Sequence, residues 1–155
     1  MDDRRDLVSL FRTNFRQSEK FYGLFGFVLS HLPEADLKAI AEVKNLVFYL
    51  MRSSGGSVEK VDLIRPFDSQ EIVVVCFDAS SPAPCDSKIM GMVAHELAHV
   101  RLGHYDDGPD SSGIKLNDDA EWTRRMRKLQ SREPEADALA TSWGFGPEIR
   151  MMRGY

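Results

Sequence analysis

Residues 93–104 read VAHELAHVRLGH: three of the chain's four histidines fall within ten positions, and two of them bracket a glutamate. The neighbouring Met90, Val93, Ala94, Leu97, Ala98 and Val100 are apolar or small, which predicts a buried helix over 88–102, capped by Asp86 or Ser87. On such a helix residues four apart lie one turn and about 40° apart, so His95 and His99 can point the same way and chelate one ion. Glu96 lies about 100° from His95, beside the pair, where a carboxylate can take a proton from a metal-bound water. The pattern H-E-x-x-H arises by chance in roughly one chain in a few hundred of this length, so its surroundings must decide. Two imidazoles and a carboxylate are poor choices for a buried helix unless something pairs them. The competing reading, three polar residues satisfied by core hydrogen bonds, leaves that choice unexplained.

A catalytic zinc takes three protein ligands and keeps one position for water. The extended pattern H-E-x-x-H-x-x-G-x-x-H would place a third histidine at position 105, but that residue is Tyr105, and Leu102 stands where the glycine should be. The third ligand must come from elsewhere. In SREPEADALA (131–140), Ser131 is a candidate helix cap and Pro134 then falls in the first turn. Glu133 and Asp137 share a face, with Ala136 and Ala140 leaving room for close packing against another helix. One carboxylate to bind a metal and a second, one turn on, to hold a histidine N–H is an arrangement that suits zinc. The alternative, an exposed acidic helix start favoured by the dipole, does not account for the alanine spacing.

Outward from these two segments the chain reads as α+β. Leu7, Leu10, Phe11 and Phe15 recur at helical spacing, and so do Leu37, Ile40, Ala41, Val47, Leu50 and Met51 after Pro33, with Ser53–Gly56 as the stop. The part over 1–56 is thus expected to be helical. VEKVDLI (58–64) and EIVVVCF (71–77) predict two strands joined by a turn around Pro66. A Gly-, Asp- and Ser-rich loop runs from Gly103 to Gly113, Asp118 and Glu121 form a capping box for a helix to about Gln130, and a last helix over 131–143 stops at Gly144. The expectation is one domain, 1–155, with strands, active-site helix and ligand helix in 57–155.

Composition narrows the class. With 155 residues, 43% hydrophobic, 28% charged and a formal net charge of −4, neither disorder nor a nucleic-acid partner is indicated. The basic cluster over 124–128 follows acidic Asp118, Asp119 and Glu121 and reads as a solvated helix face. The N-terminus lacks a secretory signal, and FYGLFGFVLSHL (21–32) is too short and interrupted for a membrane span. A cytoplasmic protein with no membrane partner is expected. Cys76 and Cys85 are then reduced thiols without a metal role.

HELAHVRLGH followed some thirty residues later by EPEADALA and WGF resembles the small soluble gluzincin-type zinc metallopeptidases, and is similar to ImmA/IrrE-type and CAAX prenyl protease-like peptidase domains. The likeness covers roughly residues 70–146. It implies a minimal zincin-like fold, a Zn2+ ion held by His95, His99 and Glu133, Asp137 as the supporting acid, and Glu96 as the base for peptide-bond hydrolysis. It also implies a peptide or protein substrate, paired with EIVVVCF as an edge strand. This chain departs from the pattern: ImmA/IrrE-type domains usually carry asparagine and phenylalanine where Asp137 and Leu139 stand, and Pro134 leaves Glu135 as a second ligand candidate. His104, Tyr105 and Tyr155 are chemically eligible to stabilise an oxyanion, although a surface position at the helix end suits His104 better. The alternative implied function is a zinc-binding regulatory or interaction module with little or highly restricted proteolysis, acting with a regulatory protein partner.

Overall fold

The β-branched run at 71–77 is the spine of the sheet. In the computed structural model, which describes residues 7–15, 18–51, 57–65, 68–78, 85–105 and 119–155, it lies within strand Asp68–Asp78, here β4. Ser57–Arg65 (β3) folds back on it antiparallel, with Ser57 opposite Cys76 and Arg65 opposite Asp68. Leu46–Met51 (β2) pairs with the other side of β4 in parallel, Leu46 opposite Val73 and Met51 opposite Asp78. Arg12–Thr13 (β1) adds in parallel outside β2, giving the order β1-β2-β4-β3. The Asn14 side chain lengthens this pairing: its carbonyl accepts from the Leu50 N–H at 2.7 Å, and its amide donates to the Leu50 carbonyl at 3.3 Å.

Two expectations are corrected here. EIVVVCF is not an edge, since β4 is flanked by β2 and β3. Residues 1–56 are not all helical either: a helical turn over 7–9 gives way to β1, and the helix after Pro33 spans only Glu34–Ala41 (α2) before β2. Asn45, at φ 56°, breaks the helical path between them, a conformation asparagine tolerates better than most residues. The run LVFYLM then follows its aromatic and branched character into the sheet. The Ser53–Gly56 stop, the turn around Pro66, the loop from 106 onward and Asp118 lie outside the described residues.

Alternation turns one face of β2 and β4 inward. Leu46, Phe48, Val73, Val75 and Phe77 are buried, at the two-residue period of a half-covered sheet. Helix Glu19–His31 (α1), capped by the Ser18 hydroxyl accepting from the Phe21 N–H, adds Phe21, Phe25, Val28 and Leu29. Phe25 meets Phe48 edge-on at 5.0 Å and Phe15 at the same distance, the geometry aromatic quadrupoles favour.

Asp86–Arg101 (α3) carries the opening motif and is buried without interruption from Val93 to Val100. No side-chain cap bond forms at its start, where Cys85 holds the cap position. Behind α3, residues expected as two helices form one, Asp119–Ala140 (α4), with Pro134 inside it rather than in a first turn. Proline removes one hydrogen bond to the carbonyl four residues back, yet Ala136 and Ala140 are fully buried on the packed face, as their spacing predicts. A π turn, Thr141–Phe145, with Gly144 at φ 98°, leads into Gly146–Arg153 (α5). This last helix crosses α3 closely at Gly91, where an added Cβ would overlap the Glu148 carbonyl oxygen. Asp36 of α2 ties the scaffold together, accepting from Arg101 Nε at 2.6 Å and Trp143 Nε1 at 2.9 Å. Among the described residues, no helix is long and apolar enough to cross a membrane.

Candidate metal centre

Helical spacing on α3 brings the two imidazoles together as expected: Nε2 of His95 lies 3.0 Å from Nε2 of His99. Both rings are buried, as is Glu96. From α4, Glu133 reaches over the pair, its Oε2 3.3 Å from His95 Nε2 and its Oε1 3.3 Å from His99 Nε2. One donor atom from each of His95, His99 and Glu133 lies within 4.8 Å of the others, so the group could hold a metal ion. Glu135, the other candidate, points to His104 instead, at 3.3 Å.

The donor set passes a simple test of fit. Two ligands bound at about 2.0–2.1 Å and a tetrahedral angle apart are separated by about 3.3–3.4 Å. Both carboxylate–imidazole distances are 3.3 Å; the imidazole pair, at 3.0 Å, has to open by roughly a few tenths of an ångström to reach that spacing. Nδ1 of His95 lies 2.8 Å from Oδ1 of Asp137. A carboxylate can only accept, so the proton of a neutral His95 sits on Nδ1 and its Nε2 presents a lone pair. Lone pairs from His95 and Glu133 thus converge on one region, where a cation would satisfy them.

Burial sets the protonation states. Desolvation, opposed by the nearby Glu133 and Asp137 charges, lowers the pKa of His95. Desolvation and the neighbouring His95 push His99 down to about 4. Both rings are therefore neutral at pH 7, the form that binds metals. Desolvation, reinforced by Glu133, raises Glu96 to about 8. Burial alone would raise Glu133 too, but a hydrogen bond from Arg153 and the two imidazoles outweigh it and hold its pKa below the ordinary carboxylate value.

Two residues hold places at the centre that the sequence did not indicate. Arg153, near the end of α5, donates from Nη2 to Glu133 Oε2 at 2.9 Å and to Asp137 Oδ1 at 3.0 Å, and from Nε to Asp137 Oδ2 at 3.0 Å. The signals for its helix were Pro147 with Glu148 at the start and Gly154 at the end. His104, expected at the surface, has a side chain only 10% exposed and places Nδ1 2.8 Å from Nδ1 of His99. The chain matches no protein-family model, no curated protein and no solved structure. What the geometry supports is a His95, His99 and Glu133 group that could hold a metal ion.

Proposed function

We propose that this protein is a zinc-dependent metalloendopeptidase of the gluzincin type, with a zincin-like arrangement of α3 and α4. The observation that carries the reading is the convergence of three donors, His95, His99 and Glu133, beside a buried carboxyl, Glu96. His95, His99 and Glu133 would hold the ion, leaving a fourth position open. A zinc ion held this way lowers the pKa of a water and polarises a peptide carbonyl.

Glu96 is then the proton carrier. Its carboxylate accepts the proton of the attacking water and passes it to the departing amine, so one group serves both halves of the hydrolysis. A non-catalytic site has no need for such a base and tends to fill its fourth position with protein. Asp137 keeps the His95 proton on Nδ1 and turns the ring toward Glu133. With β4 interior to the sheet, β3 is the long strand with a described neighbour on one side only. It is the place where an extended peptide can add main-chain hydrogen bonds. The substrate class is a peptide or protein segment, and narrow choice among such segments would call on a regulatory protein partner.

The test has two stages. Zinc content and affinity are measured for protein stripped with chelator and reloaded, beside Glu133→Gln and Glu135→Gln. One zinc per chain, weakened strongly by the change at Glu133 and little by that at Glu135, is the expected result. Cleavage of an unstructured protein substrate is then compared with Glu96→Gln, which should lose at least about 100-fold. Absence of bound zinc would end the metallopeptidase reading. Zinc binding with no cleavage dependent on Glu96 would leave a zinc-binding regulatory module in its place.

A further inference from the structure

His104 stands outside the ligand set, yet both of its ring nitrogens are engaged. Nε2 lies 3.3 Å from Oε2 of Glu135, and Nδ1 lies 2.8 Å from Nδ1 of His99. Glu135 can only accept, so a neutral His104 carries its proton on Nε2. Its Nδ1 is then a lone pair, and the short contact to His99 requires the proton there to sit on His99 Nδ1. The remaining nitrogen of His99, Nε2, is left bare, facing His95 and Glu133. A proton on His104 Nδ1 would reverse the sequence and put the His99 proton on Nε2, pointing at the ligand oxygen.

We propose that His104 is a positioning residue of the metal centre, which fixes the tautomer and orientation of His99 by accepting its Nδ1 proton. It does for the second histidine what Asp137 does for the first. The inference rests on the metal-centre reading and deepens it. The backbone is built for this task. Leu102 caps α3, and Gly103, at φ 69°, turns the chain back, with its N–H on the Val100 carbonyl at 3.1 Å and the His104 N–H on the His99 carbonyl at 3.0 Å. This nested pair of bonds, closed through a left-handed glycine, is a common way to end a helix and reverse the chain. The reversal lays the His104 ring against the His99 ring, with centroids 5.0 Å apart. Arg132 of α4 locks the turn by donating to the His104 carbonyl at 2.8 Å. Glu135 itself is largely solvent-exposed, so the relay ends in water and His104 is its indispensable member.

The experiment compares zinc affinity by chelator competition in the full chain and in His104→Phe, His104→Gln and Glu135→Gln. Phenylalanine keeps a ring but offers no acceptor, whereas glutamine restores one. His104→Phe should bind one zinc per chain about 10–100-fold more weakly, His104→Gln should recover part of that loss, and Glu135→Gln should stay within about threefold. Independently of any variant, ring 15N–1H correlation of the zinc-loaded protein should show His104 protonated on Nε2 and bare on Nδ1. Affinity of His104→Phe within about threefold of the unmodified protein, or the opposite tautomer, would overturn the proposal while leaving the metal centre standing. No zinc bound by the unmodified protein would overturn both. Should His104→Phe not fold, the tautomer decides alone.

Discussion

Two glycines in helices, Gly23 and Gly91, should respond to the same substitution with opposite signs. In a helix interior alanine is favoured over glycine by about 0.5–1 kcal/mol, because glycine loses more backbone freedom on folding. Gly23 lies on the exposed side of α1, and nothing is within 4 Å of a Cβ built there. Gly23→Ala should therefore stabilise by about 0.5–1 kcal/mol, or raise the melting temperature by roughly 1–4 °C at this chain length. At Gly91 an added Cβ would overlap the Glu148 carbonyl oxygen, lie 2.7 Å from its carbon and 3.3 Å from the Ile149 nitrogen. These are backbone atoms, so no side chain can swing aside and α5 must move bodily. Overpacking of this kind costs about 1–3 kcal/mol, which set against the helix-propensity gain of about 0.5–1 kcal/mol leaves a net loss of up to about 2.5 kcal/mol. The shift would also draw Arg153 away from Glu133 and Asp137, so zinc affinity should fall with stability. Urea unfolding of the chelator-treated protein measures the first effect, and chelator competition measures the second. A Gly91→Ala protein as stable as the unmodified one, or more so, would refute the close crossing of α3 and α5.

Arg153→Met, which keeps the aliphatic stem, removes three hydrogen bonds from Glu133 and Asp137. Discounted for its partial exposure, this should cost the metal-free protein about 1–2 kcal/mol at pH 7. Glu133 is held below its unfolded pKa, so its part of this stability is present above about pH 4.5 and fades as pH falls through the folded value; urea unfolding at pH 7 and pH 4 should show the gap closing. For Glu96 the sign is reversed: with a folded pKa of about 8, the native state keeps a proton that the unfolded chain has lost. Stability of chelated protein should therefore decline by up to about 1.4 kcal/mol per pH unit between pH 6.5 and 8, and a Glu96→Gln protein that declines equally would sink the assignment. Below pH 6.5 the lowered His95 and His99 act the other way, so the metal-free protein should be most stable near pH 6.5. Gly103→Ala, at φ 69° with nothing near the added methyl, should lose about 1 kcal/mol through backbone strain alone, and Gly103→Asn should lose less.

Much of the centre was legible in the sequence because its pieces are local. The i, i+4 spacing of His95 and His99 is helix geometry, and so is that of Glu133 and Asp137. Ala136 and Ala140 announced the packed face of α4. The parts that escaped depend on tertiary direction. The fold-back of His104 needs the positive φ of Gly103, and the order Gly-His alone does not say where the imidazole will land. Arg153 reaches residues 16 and 20 positions earlier, a contact that no local pattern encodes. Residues 46–51 carry a helical signal because Val47, Leu50 and Met51 continue the spacing of Ile40 and Ala41. A short apolar run fits either period, and pairing with β4 decided it. Pro134 misled in a similar way: proline is an unfavourable interior residue, but one lost hydrogen bond in a helix spanning 22 residues is outweighed when its face is buried.

On the proposed reading, a bound ion balances the charges around the centre. Glu133 and Asp137 are two acids on one face of α4, and Arg153 neutralises only one charge between them. Left as it stands, the cluster is negative, and Glu96 holds its proton, chiefly because it is buried and further because of the Glu133 charge. A divalent cation on His95, His99 and Glu133 changes that balance, because its two positive charges offset the remaining acid and allow Glu96 to ionise with the whole cluster neutral. A core helix with satisfied histidines has no use for this arithmetic; one acid opposite one imidazole would suffice. Here each proposed ligand is instead held from behind by a group of its own: His95 by Asp137, His99 by His104 and Glu133 by Arg153. Those supports come from α4, from the turn after α3 and from α5. Three separate elements thus fix the directions of three donors, which is the support that the proposed metal centre requires.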